Sequence, residues 1–166
     1  MTDTSAGIRE NPNGPLGVDE HLIGAVIRSP AMTVLDIASF VDSRGDLDEP
    51  ARAILDVAIG LAQAGIEPNR ENVVGELRRS DLLDRRTACW LASAAGCDTQ
   101  AEHIRRYAET VVAASLRRRV RNWSTALIEV VDSGTETELA VTTEVFASRI
   151  AEVFERLRSL RQGADD

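Results

Sequence analysis

The last third of the chain carries the feature that most constrains the fold, a long uninterrupted stretch followed by a heptad repeat. No Gly or Pro occurs between residues 100 and 131, which predicts one long helix. Residues 133–135 (Ser-Gly-Thr) end that helix. A second long helix is predicted over 136–162, because apolar residues recur there every seven positions, at Leu139, Phe146, Val153 and Leu160. Two such helices joined by a short turn form an antiparallel hairpin.

The apolar stripes of the hairpin predict self-association. Together with Val145 and Phe154, the stripes hold more apolar side chain than two helices can hide from water, so another surface should cover the rest. A second copy of the chain is the economical choice. The residues assigned to this self-association seam are Leu116, Val120, Trp123, Leu127, Val130, Leu139, Phe146, Ile150, Val153 and Leu157.

Five short helices are predicted before the hairpin. Asp19 is a candidate N-cap for the first, residues 42–46 form a polar break, Gly65 ends the third helix, and Asn69 can cap the fourth. No segment shows sustained strand alternation. The predicted fold class is all α, with a compact multi-helix head followed by a long helical hairpin. The predicted divisions are a flexible tail at 1–15, the head at 16–99, the hairpin at 100–162 and a tail at 163–166.

The charged residues exclude several functions. All 19 basic residues are arginine, against 27 acidic residues and a net charge of -8. Without lysine the chain has no Walker-type phosphate loop and no Schiff base. Among the charged residues, a set of arginines on the long helix is the best candidate for a functional role. These arginines could contact an acidic partner or a nucleic-acid backbone. Alternatively, they could be solvated and paired with glutamates of the neighbouring helix. These candidates are Arg105, Arg106, Arg117, Arg118, Arg119 and Arg121.

No catalytic, metal or cofactor site is predicted. Cys89, Cys97 and His103 could supply three zinc ligands, but structural zinc requires four at tight spacings. No nucleophile motif occurs, so we expect a protein that is not an enzyme and needs no cofactor. The two cysteines form no disulfide framework, and the sequence shows no signal peptide and no membrane span, which favours a cytoplasmic protein. The abundance of arginine and alanine is typical of a GC-rich bacterial genome.

The order of short motifs resembles the N-terminal domain of DnaB-type replicative DNA helicases. Residues 20–27 (Glu-His-Leu-Ile-Gly-Ala-Val-Ile) are similar to the family's Glu-Gln-x-x-Leu-Gly-x-Leu-Leu helix, with His at the Gln place. Residues 53–65 resemble its Ile-Phe-x-Ala-Ile-x-x-Leu-x-x-x-Gly helix, with Leu55 where an aromatic is usual. Residues 67–77 and 107–112 resemble the family's Pro-Ile-Asp-x-Val and Tyr-Ala-x-Ile-Val segments. The similarity covers residues 16–132 and continues as architecture through the hairpin.

The resemblance implies a non-catalytic module of DNA replication. In the family, the hairpin pairs with a second subunit, dimers build a collar around the helicase ring, and the collar docks primase. The expected partners are therefore a second copy, as a dimer or a hexameric collar, and primase or a replicative helicase. The chain could be an N-terminal fragment of a helicase or a stand-alone protein. The alternative function is a nucleic-acid-binding regulator that uses the arginines of the long helix.

Overall fold

The computed structural model describes residues 17–162, and the tails predicted at 1–15 and 163–166 lie outside this range. The described chain contains eight α-helices, one 3-10 turn and no strand, which confirms the predicted all-α class. The helices are α1 (Val18–Val26), α2 (Ala31–Ala38), α3 (Ser43–Asp46), α4 (Ala51–Gln63), α5 (Arg70–Arg79), α6 (Arg85–Gly96), α7 (Ile104–Ser133) and α8 (Glu136–Gln162), with the 3-10 turn at Ala101–His103.

Local capping interactions set several of these helix ends. The side chain of Asn69 accepts a hydrogen bond from the backbone N–H of Asn72 at 2.9 Å and begins α5, as predicted. Asp84 caps α6 in the same way, through the N–H of Thr87 at 2.6 Å. Gly65 has a φ of +72° just beyond the end of α4, a conformation that favours glycine and ends the helix where the sequence predicted.

Two local predictions were wrong. Asp19 does not cap α1, because Gly17 is the N-cap and its N–H donates to a carboxylate oxygen of Glu20 at 2.7 Å. The polar break at residues 42–46 contains the short helix α3, whose first turn is closed by the side chain of Asp42. This helix was missed because four polar residues show no apolar periodicity.

Helix α1 lies at the centre of the hydrophobic core. Leu22, Ile23 and Val26 are fully buried, and α1 packs against α4, α6 and α7. Gly24 permits the close approach of α6, since a Cβ atom at this position would lie 2.6 Å from the backbone oxygen of Ala94. The absence of a side chain at Gly24 therefore allows α1 and α6 to pack at this short distance.

The core continues beyond residue 99, where the sequence placed the end of the head. Ile104 and Val111 of α7 and Val153, Leu157 and Leu160 of α8 belong to the same buried cluster as α1. The first half of α7 and the end of α8 are therefore structural parts of the head. Only the distal part of the hairpin, residues 117–152, contains no buried residue. We call this segment the arm.

Candidate interaction surface on the arm

The two helices of the arm are held together by a thin layer of apolar side chains. The rings of Trp123 and Phe146 stack with their centroids 5.3 Å apart and 16° between their planes. Both residues, like Leu127 and Ile150, stay partly exposed. A two-helix layer offers no third element to cover these side chains, so one edge of each remains in contact with water.

An apolar groove follows one side of this layer. It has a volume of about 240 Å³, and its lining contains no charged residue. We call it the arm groove. Its lining residues are Val120, Trp123, Ser124, Leu127, Thr143, Phe146, Ala147 and Ile150. Five of the ten predicted seam residues are therefore in the groove. Ser124, Thr143 and Ala147 were missed because they are small or polar, although they lie about 100° or less around their helices from Trp123 or Phe146.

The other predicted seam residues have different positions. Val153 and Leu157 are 1% and 4% exposed and pack in the core of the head, where a second chain cannot reach them. Leu116 packs against the same core and is partly buried. Val130 and Leu139 lie near the tip of the arm and are partly exposed. The surface that a second chain could contact is thus shorter than the seam that the heptads predicted.

The two ends of the arm carry opposite charges. Helical geometry places Arg117 about 20° around α7 from Ser124, on the groove side near the head, whereas Arg121, about 160° from Trp123, faces away from the groove. Asp132 and Glu136 are exposed at the tip, and Glu136 lies about 80° around α8 from Phe146, also on the groove side. The tip stays negative, since hydrogen bonds from the backbone N–H and hydroxyl of Thr135 lower the pKa of the neighbouring Glu138 carboxyl.

The six candidate arginines divide into two groups. Arg105 pairs with Asp36 at 2.6 Å, Arg119 with Asp46 at 3.0 Å, and Arg118 donates to the backbone oxygen of Asp46 at 2.7 Å. These three side chains are engaged in ion pairs or hydrogen bonds within the chain. Arg106, Arg117 and Arg121 make no ion pair with any residue of the described range 17–162, so a partner could use only these three without breaking internal pairs.

Asp46 joins the head to the base of the arm. Its carboxylate is completely buried and accepts hydrogen bonds from Ser115 at 2.7 Å, Arg119 at 3.0 Å and Arg156 at 2.5 Å. These donors lie on α7 and α8, about 70 to 110 residues further along the chain. No local sequence signal distinguishes Asp46 from its acidic neighbours, which is why it was not predicted as a structural centre.

A larger groove of about 930 Å³ lies between α4 and α5. Six charged residues line it, and four of them are already paired internally, Glu49 with Arg52 and Glu76 with Arg79. A partner would have to compete with these pairs, whereas the arm groove presents an apolar surface that water contacts at a free-energy cost. The arm groove is therefore the stronger candidate.

The cysteines differ in environment. Cys97 is buried and donates to the backbone oxygen of Ser93, and burial raises the pKa of its thiol. Cys89 is exposed, because Leu91 and Ala94 form the buried side of α6. Among residues 17–162, no three His, Cys, Asp or Glu side chains are grouped so that they could hold a metal ion.

Comparison with known proteins found no family model, no curated protein and no solved structure that matches this chain. The resemblance to the helicase collar domain stays a prediction. No helix in the described part of the chain combines the length and the apolar character needed to cross a membrane.

Proposed function

We propose that this chain is a non-catalytic self-association and protein-interaction module of DNA replication, in which the arms of two copies pair through their grooves. The observation that carries the proposal is the uncharged arm groove, which no other part of the described chain covers. Apolar side chains held in water at a fixed place on a folded surface are typical of an interaction site.

The charges at the two ends of the arm favour a second copy as the occupant. If two grooves face each other about a two-fold axis through the middle of the arm, the base of each arm lies level with the tip of the other. Arg117 of one copy then approaches Glu136 of the other, the two charged residues that lie on the groove side at opposite ends of the arm. A parallel arrangement would bring like charges together, which is unfavourable.

The size of the arm is sufficient for a modest dimer. Each of the two helices contributes seventeen residues to the arm, which gives the arm a length of about 25 Å. Two adjacent helices give it a width of about 20 Å. The face thus covers about 500 Å² on each copy, or about 1,000 Å² for the pair, near the lower limit of specific interfaces. We expect a reversible dimer whose population depends on protein concentration.

The assignment to DNA replication is supported by the ordered sequence resemblance and by the succession of a helical head and a helical hairpin. In this proposal the paired arms form collar-like assemblies, and head surfaces dock primase or a replicative helicase. Pull-down with purified bacterial primase and replicative helicase tests this part. If neither is retained by the wild-type chain, the replication assignment is wrong even if the chain dimerises.

Sedimentation equilibrium tests the arm pairing. Val120→Asp places a carboxylate in the groove, where pairing would have to desolvate it, so the dimer should dissociate. Val141→Asp is the matched control, since Val141 is 56% exposed and lies outside the groove. Equal dimer populations for the two variants, or a wild-type chain that is monomeric at about 100 µM, a concentration ample for micromolar affinity, would contradict the proposal.

Charge reversal tests the antiparallel orientation. Arg117→Glu should weaken the dimer by repulsion from the acidic tip of the partner, and adding Glu136→Arg should restore part of the loss. If the double variant is weaker than either single variant, the two ends do not meet.

The alternative of a nucleic-acid-binding regulator has less support. Three of the six arginines on which it depends are used within the chain. Binding to a mixed-sequence duplex that weakens steeply with salt would nevertheless favour it.

A further inference from the structure

A small pocket outside the arm lies between the beginnings of α1 and α7. Its volume is about 350 Å³, and it is lined by Val18, His21, His103, Arg106, Tyr107 and Thr110. None of these is a carboxylate, although the chain has 27 acidic residues. A pocket that combines a guanidinium, a phenol, two imidazoles and a hydroxyl is suited to an anionic ligand with further polar groups.

Arg106 is the cationic group of the pocket. It makes no ion pair or side-chain hydrogen bond with residues 17–162, whereas its neighbour Arg105 is paired with Asp36. Of the carboxylates near Arg106, Glu109 accepts from Arg161 at 2.6 Å and Glu20 Oε2 accepts from the N–H of Gly17. Glu102, one turn before Arg106, is exposed and forms no ion pair with it. The guanidinium is thus free to bind an anion in the fork geometry that suits phosphate.

The wall of the pocket is aromatic. The rings of His21 and Tyr107 have centroids 5.9 Å apart. The Nδ1 atom of His21 lies 3.2 Å from the backbone oxygen of Gly17. This oxygen can only accept, so Nδ1 carries a hydrogen, and in that tautomer the Nε2 atom is an acceptor. The hydroxyl of Thr110 donates to the backbone oxygen of Arg106 at 2.8 Å and so offers the pocket an acceptor as well.

We propose that this pocket binds a nucleoside monophosphate group. The phosphate would be held by Arg106 and the Tyr107 hydroxyl, a ribose hydroxyl would donate to His21 or Thr110, and the base would lie against the His21 and Tyr107 rings. Free inorganic phosphate would use the donors but leave the acceptors and the aromatic wall unoccupied. A nucleotide uses all three, because every base presents a π-face. The site is independent of arm pairing.

The group could come from a free nucleotide or from a single strand of nucleic acid. Both present the same phosphate, sugar and base. Titration of the full chain with AMP, adenosine, inorganic phosphate and an oligoriboadenylate, followed by backbone amide chemical shifts of residues 17–22 and 103–110, distinguishes them. AMP should shift these resonances saturably and more tightly than adenosine or phosphate. Tighter binding of the oligoriboadenylate than of AMP at the same resonances assigns the group to a strand, and the reverse order assigns it to a free nucleotide.

Variants identify the contacts. Arg106→Gln should weaken AMP binding about tenfold, the loss expected for one charge-assisted contact. Tyr107→Phe tests the hydroxyl while keeping the ring. Arg78→Gln is the matched control, since Arg78 is an exposed helical arginine remote from the pocket. Circular dichroism should show that all three variants fold.

Three results would overturn the proposal. The first is the absence of saturable shifts with AMP at about 10 mM, well above the dissociation constant of even a weak site. The second is equal affinity for adenosine and AMP, which would show that the phosphate is not recognised. The third is an equal loss of binding in Arg106→Gln and Arg78→Gln, which would show only a general effect of charge.

Discussion

Replacing Asp46 with alanine should destabilise the chain more than any comparable change on its surface. The carboxylate is completely buried and accepts hydrogen bonds from Ser115, Arg119, Arg156 and the N–H of Asp42. Alanine would remove the buried acceptor that two guanidinium groups share, leaving Arg119 with the Asp42 carboxylate at 3.7 Å and Arg156 with the backbone oxygen of Phe40 at 3.0 Å. Breaking a buried ion pair on one side costs about 3 to 5 kcal/mol, because the remaining charge is uncompensated.

The two arginines moderate this cost. Their side chains are 22% and 23% exposed, so water can solvate them in part, and we expect a loss near the lower limit, about 3 kcal/mol. For a chain of this size, this corresponds to a fall in Tm of about 6 to 12 °C. Asp46→Asn keeps the volume and one acceptor oxygen but removes the charge, so its loss should be smaller than that of alanine.

Urea unfolding followed by circular dichroism measures the effect at a fixed protein concentration, since pairing of arms would also change apparent stability. Asp36→Ala is the matched control. Asp36 pairs with Arg105 at 2.6 Å, but its side chain is 46% exposed, and exposed pairs contribute no more than about 1 kcal/mol. If Asp46→Ala costs no more than Asp36→Ala, the reasoning about the buried carboxylate is refuted.

Three further predictions concern the head. Gly24→Ala should lower the free energy of unfolding by about 1 to 3 kcal/mol in the same urea assay, because the added methyl would lie 2.6 Å from a backbone oxygen of α6; an unchanged midpoint would mean that α1 and α6 separate easily. Asn69→Ala should cost about 1 kcal/mol through loss of the α5 cap, while Asn69→Asp should retain most of it. With a thiol reagent, Cys89 should react in the native state and Cys97 only after unfolding, since burial keeps its thiol protonated and inaccessible; equal rates would contradict the burial of Cys97.

The sequence by itself determined where several helices begin and end, because these ends depend on residues that are close together in the chain. Asn69 and Gly65 act through hydrogen bonds and backbone angles within one turn, and both helix ends were predicted where the structure has them. The bounds of α8, Glu136–Gln162, follow in the same way from the turn before it and the uninterrupted heptads. Such signals are local, so they can be recognised without knowing the fold.

Periodicity could not determine how far the head extends along the hairpin. Phe146, Val153 and Leu160 occupy equivalent heptad positions, and all three were expected in one stripe. In the structure Phe146 is half-buried in the arm, whereas Val153 and Leu160 are each 1% exposed in the core. A heptad fixes which side of a helix is apolar, but the element that covers that side is chosen by contacts with distant segments.

Asp46 depends entirely on the tertiary structure. In the sequence it is one of several acidic residues between two helices, where exposure to solvent is the ordinary expectation. Its burial arises because α7 brings Ser115 and Arg119, and α8 brings Arg156, to its carboxylate. A charge can be buried only where partners compensate the loss of hydration, and these partners come together only when the whole chain is folded.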